Sequence, residues 1–272
     1  MGRKMIIPST RHPILRVMWD LRQLLSSFRF WLFLAWLDVR QQYRRSTLGP
    51  FWITLTTAGY VLALIVVFGS LFRVHLQEYA PWVTIGVISW NLISACLSDS
   101  GNVLLMKKQL LLQRQISHNG LILSSILKWT IVFFHQMPIF IAVMIYYKIP
   151  ITIHTAWILV TVPALILLLQ PLCLIVAYMS MRLRDVPPLV VAVLTPLFFV
   201  TPIMWSPDQL GDKAWIAAWN PFAAMVGLVR EPMLGHPIPY SMIVISLATG
   251  VVLWGLSFLI QVLFRKRIMY WA

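Results

Sequence analysis

Three arginines crowd the edge of the first long apolar run, within LDVRQQYRRSTLGPFW, residues 37–52. Arg40 and Arg44 are four residues apart, so on a helix they share one face, with Arg45 beside them. A guanidinium is planar, keeps its charge at physiological pH and pairs bidentately with phosphate. Gly49 permits a close backbone approach, and Pro50 fixes the entry into a following helix without needing a hydrogen bond. The chemistry this stretch offers is recognition of an anionic group at headgroup level. The same arginines would also serve simply to hold the segment on the inner side of a membrane and attract anionic lipid in bulk.

No set of residues with catalytic or metal-binding spacing accompanies them. None of the twelve glycines is followed by lysine, so the chain has no phosphate-binding loop of the G-x-x-x-x-G-K-[ST] kind. Neither a Cys-x-x-Cys, nor a His-x-x-x-His, nor a paired carboxylate cluster occurs. Cys96 and Cys173 fall inside apolar runs and read as buried free thiols. No catalytic residue, metal or cofactor is expected. The intramembrane ionisable residues are Asp99, Lys128 and His135. Asp99 and Lys128 either pair with each other or reach toward the headgroups from near the ends of their helices.

The elements that must carry these residues follow from composition. Only 11% of the 272 residues are charged and 60% are hydrophobic, whereas a soluble domain carries about a quarter charged residues. Lipid is therefore the solvent. The net charge of +14 lies between apolar runs rather than on a soluble domain, which argues against a nucleic-acid partner. A bilayer core takes about 20 apolar residues per helix. Residues 53–72, 120–147, 155–180, 187–204 and 240–264 satisfy this, and 82–105 does so more weakly because Asn91, Ser94, Ser98, Asp99, Ser100 and Asn102 interrupt it.

Lysine and arginine alternate along the chain. Seventeen of the 22 fall in segments 1–52, 106–119, 181–186 and the tail, against four in the intervening segments, with Lys128 inside a span. The expectation is an all-α polytopic membrane protein with six spans and both termini cytoplasmic. Phe28–Leu37 is too short and too late to be expected as a cleaved leader. Segment 205–239, with Trp205, Trp215, Trp219 and Phe222 between prolines, suits short helices in the outer interface or an aromatic belt anchoring its neighbours. Arg182 to Asp185 followed by Pro187-Pro188 predicts a tight turn.

These features together resemble the membrane subunit of ABC-2 exporters, closest to the permeases that export lipid-linked O-antigen, capsule or teichoic acid. The resemblance rests on Asp38 through Trp52, with its Tyr43-Arg44 pair and Leu48-Gly49-Pro50, on the loop from Lys107 to Ile116, and on Arg182 to Asp185 with the later Asn220-Pro221. Leu112-Gln113 is a departure, standing where many relatives carry Phe-Pro. It implies an interfacial helix and hinge over 28–50, a coupling helix over 107–118 seated in a nucleotide-binding subunit, and gate helices over 207–235 on the outer side.

It also implies a homodimer that lines a channel, two copies of an ABC ATPase that binds the ATP and magnesium, and a bacterial inner-membrane location. Arg40, Arg44, Arg45, Gly49 and Pro50 would then meet the pyrophosphate of an undecaprenyl-linked polysaccharide. Lys107, Lys108, Leu111 and Arg114 would form the coupling surface. Tyr60, Phe198, Phe199, Trp205, Trp219 and Phe222 are candidates for the sugar track and its gate, since aromatic faces stack on sugars, with packing or lipid-facing roles as the alternative. The rival classes are a membrane-bound transferase, which needs a catalytic carboxylate or histidine, and a secondary flippase, which needs more intramembrane charge.

Overall fold

Two short helices precede the first apolar one in the computed structural model, which describes residues 13–44, 47–49, 51–72, 74–112, 116–265 and 267–268. Helices α1 (Pro13–Ser26) and α2 (Phe28–Gln42) break at Ser27. In α2, Trp31, Ala35 and Val39 recur every four residues and are buried, while Phe28, Phe30, Phe33 and Trp36 are exposed. One stripe thus packs on the protein and the aromatic remainder faces outward, the division expected of a helix lying in a membrane interface.

Long apolar helices follow: α3 (Phe51–Phe72), α4 (Leu76–Met106), then after the five-residue α5 (Lys108–Leu112), α6 (His118–Tyr147). A 3₁₀ turn (Ile153–Trp157) leads into α7 (Ile158–Arg182), and α8 (Val186–Val200) comes after the tight turn at 183–185. The next segment holds a 3₁₀ turn (Pro207–Lys213), α9 (Trp215–Ala218) and α10 (Pro221–Met233), before the last long helix, α11 (Tyr240–Phe264). Among the described residues there is no strand. The chain is an all-α polytopic membrane protein.

Polar residues made 82–105 look the weakest span, yet α4 is the centre of the bundle. Of its most apolar stretch 78% is buried inside the chain, against 17% for α3 and 11% for α11. Helix association in lipid favours small and weakly polar side chains, because they allow close approach and hydrogen-bond locally. Ser89 and Ser100 accordingly bond carbonyls of α4 itself, at 2.7 Å each. The polar interruptions are the packing surface. α6 and α7 pack most extensively on α4, and α3, α8 and α10 complete its surroundings.

The segment 187–204 departs from expectation in length. Among the described residues, five helices are long and apolar enough to cross a membrane; α8, with 15 residues, is shorter. Its helix stops at Val200 because residues 201–204 turn back into the protein, with Thr201 and Ile203 fully buried. Arg230 of α10 satisfies that turn, donating from Nη1 to the Pro202 carbonyl at 2.6 Å. Ile203 also seats against Gly86 of α4.

Gly120, in the first turn of α6, lies under the indole of Trp31, and a Cβ there would collide with the ring. This contact docks α2 on the bundle. Gly120→Ala should therefore push Trp31 out and cost about 1–3 kcal/mol, read as a lower melting temperature of the detergent-purified protein. An unchanged melt would show that α2 is not seated there.

Candidate functional site

The arginine-rich stretch sits at one end of the bundle. α2 ends at Gln42, so Arg40 belongs to its last turn while Arg44 lies beyond it, and the regular helical face expected for the pair is not formed. The Arg44 amide still donates to the Gln41 carbonyl at 3.3 Å, and both side chains are exposed. Arg45 and Pro50 lie outside the described residues. Gly49 has φ +54°, the left-handed region that L side chains rarely adopt, and a Cβ there would meet nothing within 4 Å. Its need for glycine is conformational.

The 107–118 loop is more engaged with its own protein than its sequence suggests. Lys107 Nζ pairs with Asp38 Oδ2 of α2 at 2.6 Å and reaches Ser124 Oγ of α6 at 3.3 Å. Leu111 is 6% exposed and packs into the core, so it is not a ridge presented to a partner. Met106, Lys108 and Gln109 face outward. Arg114 lies outside the described residues.

Beside this loop, a buried polar node joins both ends of the chain. Asp20 of α1, fully buried, meets Arg265 at the end of α11 through Oδ2–Nη1 at 2.8 Å and Oδ1–Nη2 at 3.1 Å. Asn119 donates to the same carboxylate from its amide at 3.2 Å and from Nδ2 at 2.7 Å, and Gln261 Oε1 accepts from Nδ2 at 2.6 Å. Gln170 of α7 donates to the Asn119 carbonyl at 2.9 Å, and His118 meets Tyr178 at 2.8 Å. Burial alone would raise the Asp20 pKa, but the charge and hydrogen bonds of Arg265 outweigh it and hold it below its usual value. The pair places the N-terminal helices and the end of α11 at one end of the bundle.

Within the helices, Asp99 and Lys128 settle the alternative left open by sequence: they pair. Lys128 Nζ lies 2.7 Å from Asp99 Oδ2, which also accepts from Ser125 at 2.5 Å and Trp129 Nε1 at 3.1 Å. One turn and more along, a groove of about 300 Å³ opens between α3, α4 and α6. Thr57, Asn91, Ser94, Ser98 and Gln136 line it, and Gln136 Oε1 is buried without a hydrogen-bond partner. His135 contributes nothing to it, since its Nδ1 is spent on the Ile131 carbonyl at 2.9 Å.

The candidate aromatics divide. Phe198 and Phe222 stack edge-on against Trp90, both with ring centroids 6.0 Å away, as packing within one chain. Trp205 Nε1 donates to the Phe199 carbonyl at 2.8 Å. Tyr60, Phe199 and Trp219 are exposed, at 47%, 57% and 78%. At the same end, Arg230 is 1% exposed, its guanidinium 3.4 Å from the Trp82 ring centroid and its Nε 3.4 Å from Glu231. Sequence counted Arg230 only as a loop charge; the adjacent Glu231 was the signal that it has a partner.

The ABC-2 type transporter family profile matches residues 29–234, three-quarters of the chain and nearly every element described above. The chain belongs to the ABC-2 transporter family. Curated relatives share 21% identity with this ABC-2 chain: two O-antigen export system permease proteins RfbA from Klebsiella pneumoniae and one from Myxococcus xanthus. The alignments cover 84%, 79% and 81% of this chain and 90%, 84% and 86% of those proteins. As an ABC-2 permease with several apolar helices it is a multi-pass inner-membrane transport subunit, and the family implies an ABC ATPase partner and a transported substrate.

Asp20→Asn leaves Arg265 buried without its counter-charge, which should destabilise this permease by about 3–5 kcal/mol. Because the Asp20 pKa is depressed in the folded state, its stabilisation is complete above the ordinary carboxylate value and lost as pH falls through the folded one. Melting temperature against pH, from about 3 to 6, should fall on the acid side for the unaltered chain and lose that component in the Asn variant. Identical acid limbs would remove Asp20 from this role.

Proposed function

We propose that this chain is the channel-forming permease half of an ATP-driven exporter of undecaprenyl-pyrophosphate-linked polysaccharide, O-antigen above capsule or teichoic acid. The reading is carried by one observation: exposed Arg40 and Arg44 stand immediately before the Gly49 turn and α3, at the end of the bundle where the N-terminal helices meet the end of α11. A pyrophosphate at inner headgroup level would meet those guanidinium groups bidentately, with Arg45 adding a third. The names of the RfbA relatives support the choice of O-antigen.

Two copies of the chain would line the path, and two copies of an ABC ATPase would bind ATP and magnesium. Their stroke would enter at 107–118, where Met106, Lys108 and Gln109 face outward. The Lys107–Asp38 pair then links that loop directly to α2, the helix bearing Arg40. Motion at the ATPase would reach the lipid-recognising arginines through one ion pair. The polar groove between α3, α4 and α6 supplies hydroxyl and amide groups at membrane depth for a sugar chain.

Arg44→Gln together with Arg45→Gln should abolish surface polysaccharide while expression and membrane orientation stay normal; undiminished surface polysaccharide would sink the pyrophosphate role. A mild-detergent pull-down of the tagged chain should recover a P-loop ATPase at one copy per copy of the permease. Recovery of the chain without any nucleotide-binding partner would leave a transferase or a secondary flippase in its place.

A further inference from the structure

A cavity of about 670 Å³ lies at the end of the bundle opposite the arginines. Four separate stretches build it: 74–82 at the start of α4, 147–152 after α6, Ser206 and Gln209 in the outer segment, and 234–236 after α10. Its volume lies within the range of small-ligand sites, about 300–1,000 Å³.

Two polar atoms of its lining residues have no hydrogen-bond partner among the described residues. Tyr79 is 6% exposed, and its hydroxyl forms no hydrogen bond; neither does the buried Nε1 of Trp82. A buried donor left unmade costs about 1–3 kcal/mol. Both residues are nevertheless held firmly. Arg230 lies over the Trp82 ring, and is itself tied to the Pro202 carbonyl and to Glu231. Glu231 Oε2 lies 3.5 Å from His236 Nδ1 on the cavity rim, and Thr152 Oγ1 donates to the Gly235 carbonyl at 3.0 Å. The wall is braced from behind, and both spare donors belong to residues that line the cavity.

The remaining lining selects the ligand class. Glu78, Lys148, His75 and His236 all line it, and amides are supplied by Gln77 and Gln209, with no arginine among the described lining residues. One carboxylate and one ammonium in the same lining give little net attraction to phosphate. Mixed donors and acceptors beside aromatic walls suit a hydroxyl-rich, uncharged ligand whose ring faces are apolar.

We propose that this cavity, formed where Tyr79 and Trp82 present unpartnered donors beside Glu78 and Gln209, binds a neutral saccharide segment of the exported glycan as it leaves the permease. This rests on the polysaccharide-export reading above. The site holds the emerging chain on the outer side and opposes its backward slip while the ATPase resets.

The test uses the permease with its ATPase in nanodiscs of phosphatidylethanolamine and phosphatidylglycerol. The probe is the source cell's own surface polysaccharide, freed of lipid by mild acid, with binding read by saturation-transfer NMR titration. The unaltered complex should bind, and Tyr79→Phe and Gln209→Ala should each raise Kd by about tenfold, the order of one lost hydrogen bond. Tyr79→Phe removes a hydroxyl that no protein group uses, so its melting temperature should hold or rise. Equal affinity in both variants, or no binding by the unaltered complex, overturns the site. Displacement of the polysaccharide by short-chain phosphatidylglycerol overturns it in favour of a lipid headgroup site. Export itself is scored separately by surface polysaccharide in a strain lacking the chain: loss of export there with no binding here removes this inference alone, whereas unaffected export removes the transport reading beneath it.

Discussion

The carboxylate of Asp20 is sealed from water, and four separate groups converge on it or on its partners, Arg265, Asn119, Gln261 and Gln170, while Ser117 Oγ donates to the Asp20 main-chain carbonyl. A charge in that position is tolerable only when it is paired and its lone pairs are filled. Meeting that demand requires α1, the start of α6, the middle of α7 and the end of α11 to stand in one relative arrangement. The interfacial helices, the 107–118 loop and the arginine stretch are all hung from that arrangement. A cheaper apolar contact could hold the same helices together, but it would tolerate sliding. The hydrogen-bonded carboxylate does not.

Above that layer, hydrocarbon replaces water as the medium the side chains must satisfy. Apolar side chains gain little by packing against each other there, since lipid tails are equally apolar. What brings the helices together is close approach and internal hydrogen bonding. α4 meets both conditions through its serines, its glycines and the Asp99–Lys128 pair, and so becomes the axis on which the other helices pack. α3 and α11, apolar on nearly every side, are left at the periphery.

Much of this was legible in the chain. The span predicted at 240–264 coincides with α11, and those at 53–72 and 120–147 differ from α3 and α6 by two residues at one end. Such runs are readable because a lipid-facing helix needs a local excess of apolar residues and nothing else. The same logic found 82–105 as the span of lowest hydropathy but not as the centre of the bundle, since a helix surrounded by protein is not selected for hydropathy. It also extended 187–204 past Val200, because Thr201 to Met204 are apolar enough for a helix while their backbone is bonded elsewhere. The Asp20–Arg265 pair was invisible for a different reason: its members are 245 residues apart, and neither stands in a motif. Leu111 was assigned to a partner surface because apolar residues between cations look alike whether they face a partner or their own core.

The brevity of α8 has a consequence for the bilayer. Fifteen helical residues span about 22 Å, short of the roughly 30 Å of a typical hydrocarbon core. α4, with 31 residues, reaches about 46 Å and overshoots it. α4 is enclosed by the other helices, so its length is not matched to lipid, whereas lipid beside the exposed face of α8 would have to shorten to match it. A bilayer fitted to this helix would be about 8 Å thinner there than a typical hydrocarbon core. The local thickness of the barrier is set by how early one helix ends.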